Sequence, residues 1–304
     1  MKEIDVLGIG VSTMDQFHIV EHFTDKEEVQ QAKYSKLEGG GPVATALVTL
    51  ARLGAKTIML DCIGNDWVGN QIISELRNEK VITDYLIVKN GFTSSLTSII
   101  VRENDGARTI IFSPGNSGDL GETDVSDELI TKAKYIHMNG RHLSACMKAC
   151  KIAKECNTKI SFDGGSHRFR NDLRKIIPYT NVCIVAKDFS EKYTGKTDKN
   201  EAANQLLLEG PEIVVITDGK NGSWLYTNDI NEFHQPAFEM QNVVDTTGCG
   251  DSFHGAFLFG LINNYDLYYT IRTASIVAAL NTLKLGGRSG LPTLNELQKF
   301  GAKY

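Results

Sequence analysis

The chain has 304 residues, 41% hydrophobic and 23% charged, enough to bury a substantial core in one large or two smaller domains. A net charge of -5 with scattered Lys and Arg gives no basic footprint, which excludes nucleic acid as the main partner. Six cysteines without a Cys-x-x-Cys pair read as reduced core residues of a cytoplasmic protein, and no apolar run reaches the roughly 20 residues of a membrane span.

Ile4 to Gly10 is a short apolar run closed by glycine, the pattern of a buried strand opening a parallel sheet. Its Gly8-x-Gly10 lacks the third glycine of a dinucleotide fingerprint: Thr13 stands there, and no helical pattern follows. Ser12-Thr13-Met14-Asp15 comes instead, and such an aspartate is either solvated or able to accept two hydroxyls of a polyol. Residues 16 to 37 look extended. Glu38-Gly39-Gly40-Gly41-Pro42 then opens a helix from Val43 to Leu53, stopped by Gly54, so that backbone N–H groups and a helix N-terminus could face a ligand. Thr57 to Ile63 reads as the next buried strand. Gly64-x-Asp66-x-x-Gly69 leads into an amphipathic helix through Arg77, with Asp66 a natural cap.

Thr97 to Arg102 and Arg108 to Phe112 are rich in β-branched residues and flank Glu103 to Ala107, which predicts a hairpin with Gly106 in its turn. From Asp124 the pattern alternates: helix 124–133, strand 135–138, helix 144–156, strand 159–163, helix 170–179, strand 182–185. This rhythm predicts βαβ crossovers and a parallel sheet covered on both faces, with ligands at the carboxyl ends of its strands. Asn139-Gly140-Arg141-His142 and Asp163-Gly164-Gly165, with Arg168 beyond, sit at two such ends. Gly195-Lys196-Thr197 imitates the end of a P-loop, but Ser190 stands where the first glycine is required. His137 and His142 lack the spacing of a helical zinc motif and read as structural. Ile213 to Thr217 and Ser223 to Tyr226 are strands about the turn Asp218 to Gly222.

Asp245-Thr246-Thr247-Gly248-Cys249-Gly250-Asp251 runs into the apolar helix Phe253 to Ile262. Small residues before a helix converge N–H groups on an anion, and a carboxylate there could take a proton from a hydroxyl; the bland rival is a helix cap and a tight turn. The string resembles the ATP-site signature of the ribokinase-like (PfkB) carbohydrate kinases, Asp-Thr-x-Gly-Ala-Gly-Asp, with Cys249 in place of Ala. Gly40, Gly41, Gly54 and Gly64 keep the spacing of that family's amino-terminal signature, with Thr45 where Asn is usual.

The resemblance covers nearly the whole chain. It implies an α/β fold of three layers, a doubly wound and mostly parallel sheet in a single domain over 1–304, with a small β-sheet lid from about 12–37 and 93–112. Asp251 is implied as general base, Gly248, Cys249 and Gly250 as the anion hole, and Arg141 as a clamp on phosphate oxygens. Asp15, Gly40, Gly41 and Thr45 are implied at the sugar, and Lys187, Thr217, Gly219, Gly222 and Ser275 at ATP. ATP and Mg2+ are the implied cofactors. Asp245 and Thr247, with the loop Gly286 to Pro292, would hold a monovalent cation such as K+. The family's Asn-x-x-Glu motif for magnesium and phosphates is missing, since Ala186 and Phe189 stand there; Lys187-Asp188 resembles the ketohexokinase branch, with Lys187 as substitute. An ATP-dependent kinase of ribose, fructose or another ketose is therefore expected. A nucleoside kinase stacking its base on Phe17 or Phe112 is one alternative, and a sugar- or nucleotide-binding sensor impaired at Thr45, Ala186 and Phe189 is another. An exposed lid edge would make a homodimer through the lid plausible.

Overall fold

The computed structural model describes residues 2–104 and 107–301; Gly106, the glycine expected in the hairpin turn, lies outside the described residues. The amino-terminal part runs β1 (Ile4–Ile9), β2 (Thr13–Val20), β3 (Tyr34–Gly40), α1 (Pro42–Arg52), β4 (Thr57–Leu60), β5 (Cys62–Gly64), α2 (Trp67–Asn78), β6 (Ile87–Lys89), β7 (Leu96–Arg102) and β8 (Arg108–Ser113). There follow α3 (Asp127–Lys132), β9 (Ala133–Met138), α4 (Leu143–Cys156), β10 (Lys159–Gly164), β11 (Val182–Ala186), α5 (Lys187–Thr194), α6 (Lys199–Glu209) and β12 (Ile213–Thr217). The chain closes with β13 (Ser223–Thr227), β14 (Phe233–Gln235), α7 (Cys249–Ile262), α8 (Leu267–Asn281) and α9 (Leu294–Gly301).

Eight strands form the main sheet in the order β14-β13-β12-β11-β10-β9-β1-β4. From β12 to β4 every pairing is parallel; β13 and β14 add an antiparallel edge. The apolar runs read as buried strands are buried on both faces, because α1, α2, α7, α8 and α9 pack on one side and α3 to α6 on the other. The winding reverses between β1 and β9, which puts the ligand crevice at the carboxyl ends of the central strands.

The second sheet, β3-β2-β7-β8, comes from the segments expected to form a lid. Alternation along β2 and β7 turns Phe17, Ile99 and Val101 inward, where they pack with Leu285. β8 is a paired edge on one side only, and all six of its residues are exposed.

Four local expectations are corrected. The helix expected at 170–179 is two 3-10 turns, Asn171–Lys175 and Ile177–Tyr179, because Pro178 has no N–H and disfavours the helical conformation of the residue before it. The strand expected from 57 to 63 breaks at Asp61, whose carboxylate accepts from Ser12 N (2.7 Å), Ser12 Oγ (2.6 Å) and Cys62 N (2.7 Å) and meets His142 Nε2 at 2.8 Å. The helix expected at 124–133 contracts to 127–132, and Ala133 already belongs to the sheet. The helix expected from Phe253 begins at Cys249, which moves Asp251 into its first turn. Among the described residues no helix is long and apolar enough to cross a membrane, and all six cysteines are free.

Candidate active site

Gly248 caps α7 with φ of 72°, a conformation open to glycine, and a Cβ there would lie 2.5 Å from the Gly287 carbonyl. That turn points the first N–H groups of the helix outward. Ser252 N returns to Gly248 O at 2.8 Å and Cys249 N makes a long 3.4 Å contact with Thr246 O. The N–H groups of Gly248, Gly250 and Asp251 have no partner among the described residues, which is the raw material of an anion hole. Burial, reinforced by Asp245, pushes the Cys249 thiol up to about 12.

The Asp251 side chain is 19% exposed, and Arg168 Nη1 lies 3.8 Å from its Oδ1. The same Arg168 nitrogen is 3.4 Å from Asp163 Oδ2, and His254 Nε2 is 3.3 Å from Asp163 Oδ1. Burial holds the Asp251 carboxyl above the usual aspartate range; Arg168 opposes that shift and Asp163 adds to it. Burial would raise Asp163 too, but His254 and then Arg168 hold it below the usual range. His137, with its ring 5.5 Å from that of His254, is driven down to about 3 by burial and by His254. Asp163 is thus held ionised beside Arg168, whereas Asp251 is the carboxyl that burial holds above its usual range.

Asp15 lies on β2 with Thr13 Oγ1 donating to its Oδ1 at 2.6 Å. A Cβ at Gly40 would come within 2.0 Å of Asp15 Oδ2, so only glycine lets the carboxylate rest on β3. Burial raises the Asp15 pKa; the Thr13 and Thr97 hydroxyls and the Arg288 charge oppose this. Thr45, the residue in place of the expected Asn, is buried in α1, and its hydroxyl accepts from Arg288 Nε at 3.2 Å. Of the two aromatic candidates, Phe17 is sealed inside the lid. Phe112 is half-exposed, in one cross-strand row with Thr97 and Asp15.

Thr217 ends β12, and Gly219 and Gly222 shape the turn after it with φ of 53° and 95°. Asp218 in that turn draws Lys187 to 3.9 Å and Lys199 to 3.4 Å, so Lys187 does stand by the expected ATP turn. Ser275 is buried on α8. Arg141 faces Asp119 at 3.4 Å, and among the described contacts none joins it to Asp251; the arginine beside the base is Arg168. His142 bridges Asp61 and Leu120 N, a structural role. Phe189 packs with Phe162, Phe169 and Tyr193, and Gly195 ends α5 in a left-handed cap.

The loop expected to hold a monovalent cation is already supplied with donors. Asp245 Oδ1 accepts from Thr247 N (2.9 Å) and Oγ1 (2.7 Å), and its Oδ2 accepts from Gly286 N (3.0 Å). The Asn281 amide donates to Thr247 O (3.1 Å) and Gly287 O (3.0 Å), and Lys36 Nζ donates to Leu285 O (3.2 Å). Arg108 Nη1 stands 3.8 Å from Asp245 Oδ1. With these oxygens engaged and two side-chain cations beside them, the residues present do not fit a further monovalent ion.

Sequence reasoning missed Lys36, Glu38, His254 and Arg288. His254 alone carried a local signal, since it follows Asp251 by one helical turn.

A 5-dehydro-2-deoxygluconokinase of Shouchella clausii is 26% identical over 316 residues, covering 98% of this chain and 95% of that protein. The ribokinase of Thermotoga maritima superposes with a TM-score of 0.85 at 24% identity, covering 98% of this chain and 99% of that one. Arabidopsis thaliana ribokinase, solved with ribose and ATP, gives 0.83 at 20% identity, with 97% and 98% covered. At such identities the two structures establish a shared fold. The pfkB family carbohydrate kinase model matches residues 1–294, the whole frame that carries these sites, and the chain therefore belongs to that family of ATP-dependent sugar kinases.

Proposed function

We propose that this kinase transfers the terminal phosphoryl group of ATP to a hydroxyl of a sugar held by Asp15 and the Gly40-Gly41 backbone, with Asp251 as general base. The observation that carries this is the pairing, in one helical turn, of a carboxylate held above its usual range with unpartnered N–H groups at Gly248 and Gly250. The N–H groups stabilise charge on the migrating phosphoryl, and Asp251 removes the proton of the attacking alcohol. Arg168 lies 3.8 Å from the Asp251 carboxylate. Thr217, Gly219, Gly222 and Ser275 line the ATP side with Lys187, and Arg141 is a more distant phosphate contact. Magnesium bound together with ATP would supply charge neutralisation at the phosphates. Among the described residues no cluster of three or more His, Cys, Asp or Glu side chains is built to hold a metal ion on its own.

The chain works as one catalytic unit whose lid, β3-β2-β7-β8, excludes water that would compete with the sugar hydroxyl. A cytoplasmic, homodimeric enzyme fits this reading, with Ile110, Ile111 and Phe112 exposed on the open edge of β8. A ketose, ribose or a keto sugar acid like the substrate in the name of the Shouchella clausii relative is the acceptor class. A nucleoside is the second reading, favoured by half-exposed Phe112 in line with Asp15.

ADP release measured with magnesium across ketoses, pentoses, sugar acids and nucleosides tests the acceptor. Asp251→Asn at saturating substrates should turn over ~10²-fold to 10⁴-fold more slowly. A variant with a near-normal rate removes Asp251 from the mechanism.

A further inference from the structure

We propose that the Lys36 ammonium takes the place of a monovalent cation beneath the phosphoryl site, so that the enzyme needs none and draws this charge from its own lid strand. Lys36 projects from β3, and its Nζ meets the Leu285 carbonyl at 3.2 Å, the Glu38 carboxylate at 2.9 Å and the Ser289 hydroxyl. A carbonyl, a carboxylate and a hydroxyl about one positive charge make the oxygen donor set that hard cations take. The Lys36 side chain is 22% exposed and that of Glu38 9%, so the charge is partly withdrawn from water and its attractions are less screened than at the surface.

The residues it holds connect to the anion hole. Leu285 and Ser289 bracket Gly286, which donates to Asp245, and Gly287, which shares the Asn281 amide with Thr247 and packs against Gly248. The ammonium therefore fixes the floor on which the Thr247–Gly250 turn rests. Arg108, from the lid strand β8, approaches the same Asp245 and hydrogen-bonds Thr246. A second monovalent ion would face two tethered cations. Because both stand on lid strands, seating the lid and building the anion-hole floor become one event.

The activity arm of the test rests on the kinase reading; the melting arm does not. Rates and thermal midpoints are compared in potassium chloride and choline chloride at equal ionic strength, for the wild-type chain and for Lys36→Ala. The wild type should show the same rate and the same midpoint in both salts. Lys36→Ala should lose ~10²-fold in choline chloride through misplacement of the turn, and recover in potassium or ammonium chloride. Its midpoint should also rise in potassium chloride, as expected when an ion binds the native state. Potassium activation of the wild type, or a potassium-dependent rise of its midpoint, overturns the proposal. So does a folded Lys36→Ala that ignores the cation in both measurements. Should that variant not fold, the wild-type salt comparison decides alone. Should no acceptor be phosphorylated, the kinase reading fails while the melting comparison still tests Lys36.

Discussion

Arg288 Nε donates to Thr45 Oγ1 at 3.2 Å, and Arg288 Nη2 donates to Gly40 O at 2.6 Å, so one buried guanidinium from the carboxyl-terminal loop fastens both halves of the sugar-side signature. Thr45 is shorter than the asparagine usual at its position, and the space is filled by a charge that also faces Asp15 and Glu38. Arg288→Met should lower stability by about 1–3 kcal/mol, because the buried Thr45 hydroxyl and Gly40 carbonyl lose their donor, while Glu38 keeps Lys36. Urea unfolding measures this. Thr45→Val removes only the acceptor and should raise the sugar KM with ATP KM unchanged; equal changes in both would place Thr45 outside the sugar pocket.

The pH profile reports on Asp251. As a base it works ionised, and burial holds its carboxyl above the ordinary value of about 3.9, so kcat/KM should fall on the acid side at a higher pH than an ordinary aspartate dictates. Arg168 is the largest influence pulling the other way. Arg168→Met should therefore move the acid limb further up, whereas an unmoved limb would mean that Arg168 does not act on the base.

Gly40→Ala would drive a methyl group to within 2.0 Å of the Asp15 carboxylate. Displacement of Asp15 should cost sugar affinity about tenfold or more, on the order of one lost charged hydrogen bond, with the ATP KM spared. Steady-state kinetics in each substrate distinguish this from general damage, which would disturb both.

His137 makes stability depend on pH. Its folded pKa of about 3 lies below the free value of 6.5, so between those limits the unfolded chain binds more protons than the native one. The contribution is complete above pH 6.5 and is lost as the pH falls toward 3, on the order of 2 kcal/mol by pH 5. Asp163, His254 and Ser161 face the ring and stay in place in His137→Gln, so the loss of urea midpoint between pH 7 and 5 should shrink in that variant. A loss as large as that of the wild type would assign the acid sensitivity elsewhere.

Much of the site was legible because its parts are contiguous. A glycine needing positive φ, the N–H groups after it and the carboxylate three residues on are all within Gly248 to Asp251, and helix geometry alone brings them together. The same holds for Gly40-Gly41 before α1 and for the strand–helix alternation that predicts the sheet, since both are properties of neighbouring residues. Within the Gly248–Asp251 turn the position of the α7 start was misjudged, because Gly250 and Cys249 carry no helical pattern of their own.

The tertiary structure decided which charges meet. Arg141 and Arg168 follow adjacent strands and look equivalent in the chain, yet it is Arg168 that lies beside Asp251. Lys36 and Leu285, or Thr45 and Arg288, are neighbours only after the lid and the last loop have docked, and no periodicity links residues so far apart. Backbone conformation is set by short-range sterics that residue types reveal, whereas pairing of buried charges depends on where the whole fold excludes water.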